Sequence, residues 1–140
     1  VATKNVEHHD LQDWVQVIES DLFDAVGAQR YQLIISNPPY VPADELKQLA
    51  DEFRHEPEIG LLADKAGLAV VVRILAEAAD YLDDDGILVV EVGNTQEILV
   101  ECFPDVPFLW LEFEHGGGGV FLLTADQLDE HGEAFAAAIA

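Results

Sequence analysis

The stretch LIISNPPYVP, residues 33–42, decides the fold because a buried strand runs directly into a rigid polar ending. Its apolar, β-branched start predicts a strand over Tyr31–Ser36. Proline fixes φ near −65° and donates no backbone hydrogen bond, so the two prolines that follow cannot continue a sheet ladder. The strand therefore ends on a neutral amide, Asn37, followed by two stiff residues and an aromatic ring.

The rest of the chain alternates between strand and helix patterns. Apolar residues from Leu68 to Leu82 recur at helical spacing and predict an amphipathic helix over 66–82. Asn94 with Glu97 resembles a capping box at the start of a helix. The other predicted elements are a helix end at 1–9, a strand at 14–19, a short helix near 44–53, a turn at 83–86, a strand at 87–92, a helix over 95–103, and a hairpin of strands 108–113 and 120–123.

This alternation predicts an α/β fold with a doubly wound, mostly parallel sheet and one antiparallel strand at its edge. Ligands of such sheets bind beyond the carboxyl ends of the strands. Three polar segments follow predicted strands, and we expect them to converge on one crevice. They are Ser20 to Leu22, Asn37 to Tyr40, and Gly93 with Asn94.

The residues after the second strand suit a planar –NH2 group. Asn37 does not ionise, so it is a poor general base, but its side chain offers a carbonyl acceptor and an amide donor. The carbonyl oxygens of Pro38 and Pro39 are free to accept, and the ring of Tyr40 can lie against a flat group. Two acceptors and a ring hold an –NH2 group in one orientation, which is catalysis by positioning.

NPPY after an apolar strand resembles motif IV of the S-adenosylmethionine-dependent amino-methyltransferases, and the wider pattern resembles their protein-glutamine branch. RHEP at 54–57 and EVGN at 91–94 are similar to the branch acting on a protein of the large ribosomal subunit, rather than on release factors. The matching segments, in order, are SDLFDAV, YQLIISNPPYV, FRHEPEIGL, AGLAVVVRILAEAADYL, DGILVVEVGNTQ and WLEFEHGGGGVFLL.

The resemblance implies a role for each site residue. Asn37 bonds the target amide, the Pro38 carbonyl takes its second hydrogen, and Tyr40 stacks on the amide plane beside Pro39. Asp21 and Leu22 lie at the adenine of the cofactor S-adenosylmethionine, and Asn37 is implied as a third cofactor-binding residue. Glu56, with Pro57, borders the substrate entrance. The implied reaction is direct attack of the glutamine amide nitrogen on the sulfonium methyl group.

One family feature is missing: no acid-x-Gly-x-Gly-x-Gly loop follows a first strand. By resemblance, the chain is the C-terminal part of a Rossmann-like class I methyltransferase fold with sheet order 3-2-1-4-5-7-6, lacking strands one and two. Residues 1–124 then belong to the catalytic domain, and 125–140 form an acidic, Ala-rich, solvated tail. We expect an exposed edge at Tyr31–Ser36, self-association through it, and weak or no cofactor binding by the fragment.

Charge narrows the partners. The chain has 28 acidic and 6 basic residues, a net charge of −22, which opposes stable nucleic-acid binding and leaves salt adaptation open as its cause. No apolar run reaches the ~18 residues that span a membrane. The single Cys102 fits a reducing, cytoplasmic compartment, and the histidines lack metal-ligand spacing. Three alternatives stay open: a release-factor methyltransferase, a nucleic-acid adenine amino-methyltransferase, and a non-catalytic fragment.

Overall fold

The computed structural model describes residues 1–39 and 67–139 of the chain. Two 3₁₀ turns, Ala78–Tyr81 and Gly93–Thr95, connect elements within the second range. The described helices and strands, in chain order, are α1 Ala2–His8, β1 Tyr31–Ser36, α2 Ala69–Glu77, β2 Leu82–Glu91, α3 Gln96–Cys102, β3 Leu109–Trp110, β4 Val120–Thr124 and α4 Ala125–Ile139.

The described strands form one sheet in the order β1-β2-β4-β3. β1 and β2 are parallel, while β4 runs antiparallel to both of its neighbours, β2 and β3. This arrangement confirms the α/β class and the strand order implied for the last four strands of the family. The reversed strand β4 lies one place inside the edge, because β3 is the outer strand of the closing hairpin.

Helices cover one face of this sheet. Leu88 and Val90 of β2 lie on that face beside Phe121 and Leu123 of β4, and all four are fully buried. The core is completed by α2 and α4, which pack against each other and, through α4, against β2. The ring of Phe135 on α4 meets that of Phe103 edge-to-face, with centroids 5.2 Å apart.

The opposite face of the sheet is apolar and open in the described part of the chain. Leu33 and Ile35 of β1 point to it and are 48% and 70% exposed, and Leu109 of β3 is 57% exposed. β1 has β2 as its one partner among the described strands, so its outer edge is open, as expected from the sequence. No helix in the described ranges is both long and apolar enough to cross a membrane.

The strand predicted at 14–19 is wrong. Residues 11–20 are exposed, and the described backbone there forms no strand; Trp14 is 85% exposed. β-branched residues favour a strand only when a neighbouring strand supplies hydrogen bonds and a packing surface. None of the described strands pairs with this segment.

The turn predicted at 83–86 lies inside β2 instead. β2 advances from Leu82 to Ile87 while β1 advances only from Tyr31 to Leu33, so the acidic residues form a bulge in the ladder. A Cβ on Gly86 would lie 2.9 Å from the Tyr31 carbonyl oxygen, which explains the glycine. The irregularity was correctly located, but it interrupts a strand rather than preceding one.

The last two helices differ from what the sequence predicted. α3 begins after Thr95, whose hydroxyl donates to the Val92 carbonyl at 2.8 Å, and no Asn94 capping box is present. The segment predicted as a solvated tail is the fifteen-residue α4. Its Leu128 and Phe135 are 1% and 0% exposed, so α4 is part of the core. Their spacing of seven residues is two helical turns, a signal hidden by the surrounding alanines and acids.

Candidate active site

Asn37 stands at the carboxyl end of β1, next to the end of β2. Ser36 pairs with Val90, so the next residues, Asn37 and Pro38, are level with Glu91 and Val92. Side chains alternate between the faces of a sheet. Pro38 is accordingly buried on the helix-covered side, while Asn37 is exposed on the open side. Burial of one proline therefore fixes the orientation of the amide before it.

The loop between β3 and β4 contains four consecutive glycines, residues 116–119, and we call it the glycine loop. It is attached to the end of β2. The backbone N–H groups of Val92 and Gly93 both donate to the Gly119 carbonyl oxygen, at 2.6 and 3.3 Å. Gly119 has φ +70°, and a Cβ there would lie 2.6 Å from the Gly93 nitrogen. Only glycine fits this contact, because the left-handed conformation and the close backbone approach both exclude a side chain.

Two cavities adjoin this attachment point and together form what we term the carboxyl-edge groove. The first, of about 570 Å³, is lined by Glu91, Gly93, Asn94, Gln96, Glu97, Gly118 and Gly119. The second, of about 400 Å³, is lined by Gln96, Trp110, Leu111, Glu112, Phe113, Gly117, Gly118 and Gly119. The groove begins at Glu91, one strand away from Asn37. Sequence patterns indicated Gly93 and Asn94 at a crevice but not the hairpin residues that line the rest of the groove, because these lie far away in the chain.

Comparisons with known proteins find sequence relatives of the chain. The family model described as "Methyltransferase small domain" matches residues 1–58. The ribosomal protein uL3 glutamine methyltransferase of Francisella tularensis subsp. tularensis is 47% identical over 135 residues, and that of Neisseria gonorrhoeae is 43% identical over 128 residues. By sequence, the chain is similar to a part of these protein-glutamine methyltransferases.

The alignments cover 96% and 91% of this chain but 43% and 42% of the two methyltransferases. The chain thus spans less than half the length of the curated relatives it matches. No solved structure matches it. The family resemblance drawn from NPPY and its flanking segments is confirmed, and the expected strand order of a class I methyltransferase agrees with the order seen here.

Asp21 and Leu22, the residues expected at the methyl donor, contact a different element from the one that positions Asn37. Asp21 accepts from the Arg73 guanidinium of α2, with Nη1 to Oδ1 at 3.3 Å, and its side chain is 70% exposed. Leu22 has φ +49° and packs against the core, and the Phe23 ring stacks on Tyr81 at 4.6 Å. Helix α2 therefore holds this segment. Of the three polar segments expected to converge, the described contacts join only the ends of β1 and β2.

These residues do not fit a complete S-adenosylmethionine site. The Asp21 carboxylate already faces an arginine, and within the described ranges no strand runs into a helix through a glycine loop of the kind that admits a nucleotide-type cofactor. The donor site expected from the resemblance is therefore incomplete in the described residues, and the acceptor role expected for Asn37 stays a prediction. Tyr40 and Glu56 lie outside the described residues, and their assigned roles stay predictions.

Proposed function

We propose that a protein carrying this chain transfers a methyl group from S-adenosylmethionine to the side-chain amide nitrogen of a glutamine in ribosomal protein uL3. The observation that carries the proposal is the placement of Asn37, exposed at the carboxyl end of β1 and followed by a buried Pro38. The same chain is 47% identical to a protein named for this activity.

Asn37 and Pro38 have the task of holding the target amide. The Asn37 carboxamide oxygen accepts one amide hydrogen and the Pro38 carbonyl oxygen accepts the other. Both acceptors have little freedom, because β1 is paired with β2 up to Ser36 and Pro38 is buried. The φ of Pro39 is fixed near −65° as well, because its ring closes on the backbone nitrogen.

Positioning is the appropriate chemistry for this nucleophile. Resonance with the carbonyl makes a glutamine amide nitrogen weakly nucleophilic, and Asn37 cannot remove its proton. Holding both hydrogens orients the nitrogen toward the methyl donor and stabilises the positive charge that develops on it. In the proposed site Tyr40 stacks on the amide plane, and Glu56 borders the entrance.

The donor side leads to a separate expectation for Asp21 and Leu22. The proposal places them at the adenine of the cofactor, whereas Asp21 is ion-paired with Arg73 in this chain. We therefore expect these 140 residues alone to bind S-adenosylmethionine more weakly than micromolar. Isothermal titration calorimetry checks this, and micromolar binding would show that the described residues suffice for the donor.

The function is tested with the full-length enzyme, recombinant uL3 and mass spectrometry of the methylated peptide. Asn37→Ala should lower kcat roughly 10²–10³-fold, the range for removing one preorganised hydrogen bond to a reacting group. Asn5→Ala is the matched control, since Asn5 is an exposed asparagine on α1. A release factor and an adenine-containing DNA serve as competing substrates. Unchanged turnover by Asn37→Ala, or methylation of DNA instead of uL3, would contradict the proposal.

A further inference from the structure

The carboxyl-edge groove starts beside the acceptor slot and leads away from it. Asn37 is level with Glu91 on the adjacent strand, and Glu91 lines the first cavity and pairs across the sheet with Val120. The glycine loop and then Trp110 to Phe113 continue the groove toward the outer strand. A polypeptide whose glutamine reaches Asn37 therefore has a path for the residues flanking that glutamine.

Four of the twelve residues that line the groove are glycines, three of them consecutive in the loop between β3 and β4. Gly117 has φ +106°, and a Cβ on Gly118 would meet nothing within 4 Å. This part of the loop backbone therefore has open space beside it for an extended segment. Phe113, at 50% exposed, adds an apolar wall at the far end. This combination suits a peptide main chain better than a compact small molecule.

The charge of the groove is negative. Glu91 and Glu97 line the first cavity and Glu112 lines the second. The basic side chains of the described residues are placed elsewhere. Arg30 donates to the Leu82 carbonyl at the opposite end of β2, and Arg73 bonds Asp21 from α2. Within the described ranges, no basic side chain neutralises the groove.

We infer that the carboxyl-edge groove binds an extended segment of the methyl-accepting protein, and that Glu91 and Glu97 select a lysine or arginine flanking the target glutamine. This inference rests on the proposed function. Two arguments favour that occupant over a neutral or acidic segment. One is the charge of the groove and of the chain, −22 in total. The other is that proteins binding RNA, as ribosomal proteins do, carry lysine and arginine on their surfaces.

The test uses the full-length enzyme and synthetic peptides with one glutamine flanked by lysine or by alanine. Glu97→Gln should raise KM for the lysine peptide roughly two- to fivefold, the range for an exposed ion pair, with kcat unchanged. Glu101→Gln is the matched control, because Glu101 lies one turn further along α3, is exposed and does not line the groove. Glu97→Lys should reverse the preference, so that a peptide with glutamate at the same position becomes the better substrate.

These experiments test charge selection by the groove separately from the proposed methyl transfer. Equal KM for the lysine and alanine peptides, or equal effects of Glu97→Gln and Glu101→Gln, overturns charge selection even when methyl transfer is intact. Fluorescence anisotropy with a labelled lysine peptide measures binding without turnover. Salt-sensitive binding weakened by Glu97→Gln, without methyl transfer to any glutamine, supports the groove and refutes the proposed function.

Discussion

Replacing Gly119 by alanine should separate the glycine loop from the end of β2. Gly119 adopts φ +70°, and its carbonyl oxygen accepts from the backbone N–H groups of Val92 and Gly93. An alanine Cβ at this position would lie 2.6 Å from the Gly93 nitrogen and 2.7 Å from its carbonyl carbon. These are backbone atoms of a strand end, and a rotamer change cannot move them away.

The expected loss follows from three contributions. The left-handed conformation costs alanine about 1–2 kcal/mol. Overpacking against fixed atoms costs about 1–3 kcal/mol. A weakened Val92 hydrogen bond costs about 0.5–1.5 kcal/mol. The strand end can relax in part, so the three do not simply add, and we expect a loss of about 3 kcal/mol. With an m-value of about 2 kcal/mol per molar urea, the unfolding midpoint falls by about 1.5 M.

Urea unfolding followed by circular dichroism measures this shift, and Gly118→Ala is the matched control. Gly118 is the adjacent glycine and lines both cavities, but a Cβ there meets nothing within 4 Å. The free energy of unfolding of Gly118→Ala should stay within about 0.5 kcal/mol of the parent's, as for other surface substitutions. Equal midpoints for the two variants would refute the close approach of Gly119 to Gly93, and with it the shape of the groove.

Three further predictions concern the core, the thiol and the open edge. Phe135→Ala should lower the free energy of unfolding in urea by about 3–5 kcal/mol, because the Phe135 ring is fully buried. Phe113→Ala should lower it by under 1 kcal/mol, because Phe113 is half-exposed. Burial, with a smaller effect of Glu101, raises the pKa of the Cys102 thiol from 9.0 to about 11. Labelling of Cys102 by iodoacetamide at pH 8 should therefore be about a hundredfold slower in the folded chain than in urea. The contribution of the thiol to stability should be complete below pH 9 and should be lost as the pH rises toward 11. Ile35→Asp should reduce self-association of the chain in light scattering, since Ile35 is 70% exposed beside the open edge of β1, and an unchanged mass would contradict that role.

Sequence alone predicted the elements whose signal is local. The apolar run of β1, the helical spacing of α2 and the strand pair flanking four glycines each appear where expected, because their residues determine their conformation within one or two turns of chain. Pro38 is the clearest case, since proline ends the ladder wherever it stands. The placement of Asn37 at a sheet edge followed from the same reasoning, because parallel strands share their carboxyl ends.

What could not be predicted depends on contacts between distant residues. The segment at 14–19 has the composition of a strand, but strand formation requires a partner that no local pattern reveals. Leu128 and Phe135 are buried because α4 packs against α2 and the Phe135 ring contacts Phe103, and their seven-residue spacing is a weak signal among the surrounding alanines and acids. The attachment of Gly119 to Gly93, 26 positions earlier in the chain, is likewise invisible until β4 is placed beside β2.

The acceptor side and the donor side of the proposed active site are held by different kinds of contact. The acceptor side, with Asn37, Gly93 and Gly119, belongs to the sheet, so its geometry is fixed by ladder hydrogen bonds and by a buried core within this chain. The donor side, at Asp21 and Leu22, is held by an exposed ion pair to α2, by stacking of the Phe23 ring on Tyr81 of the following 3₁₀ turn, and by partly buried packing of Leu22 against the core. The exposed ion pair contributes little in water. Positioning chemistry tolerates little movement of the acceptor, and the residues proposed to orient the amide accordingly lie at the end of a paired strand.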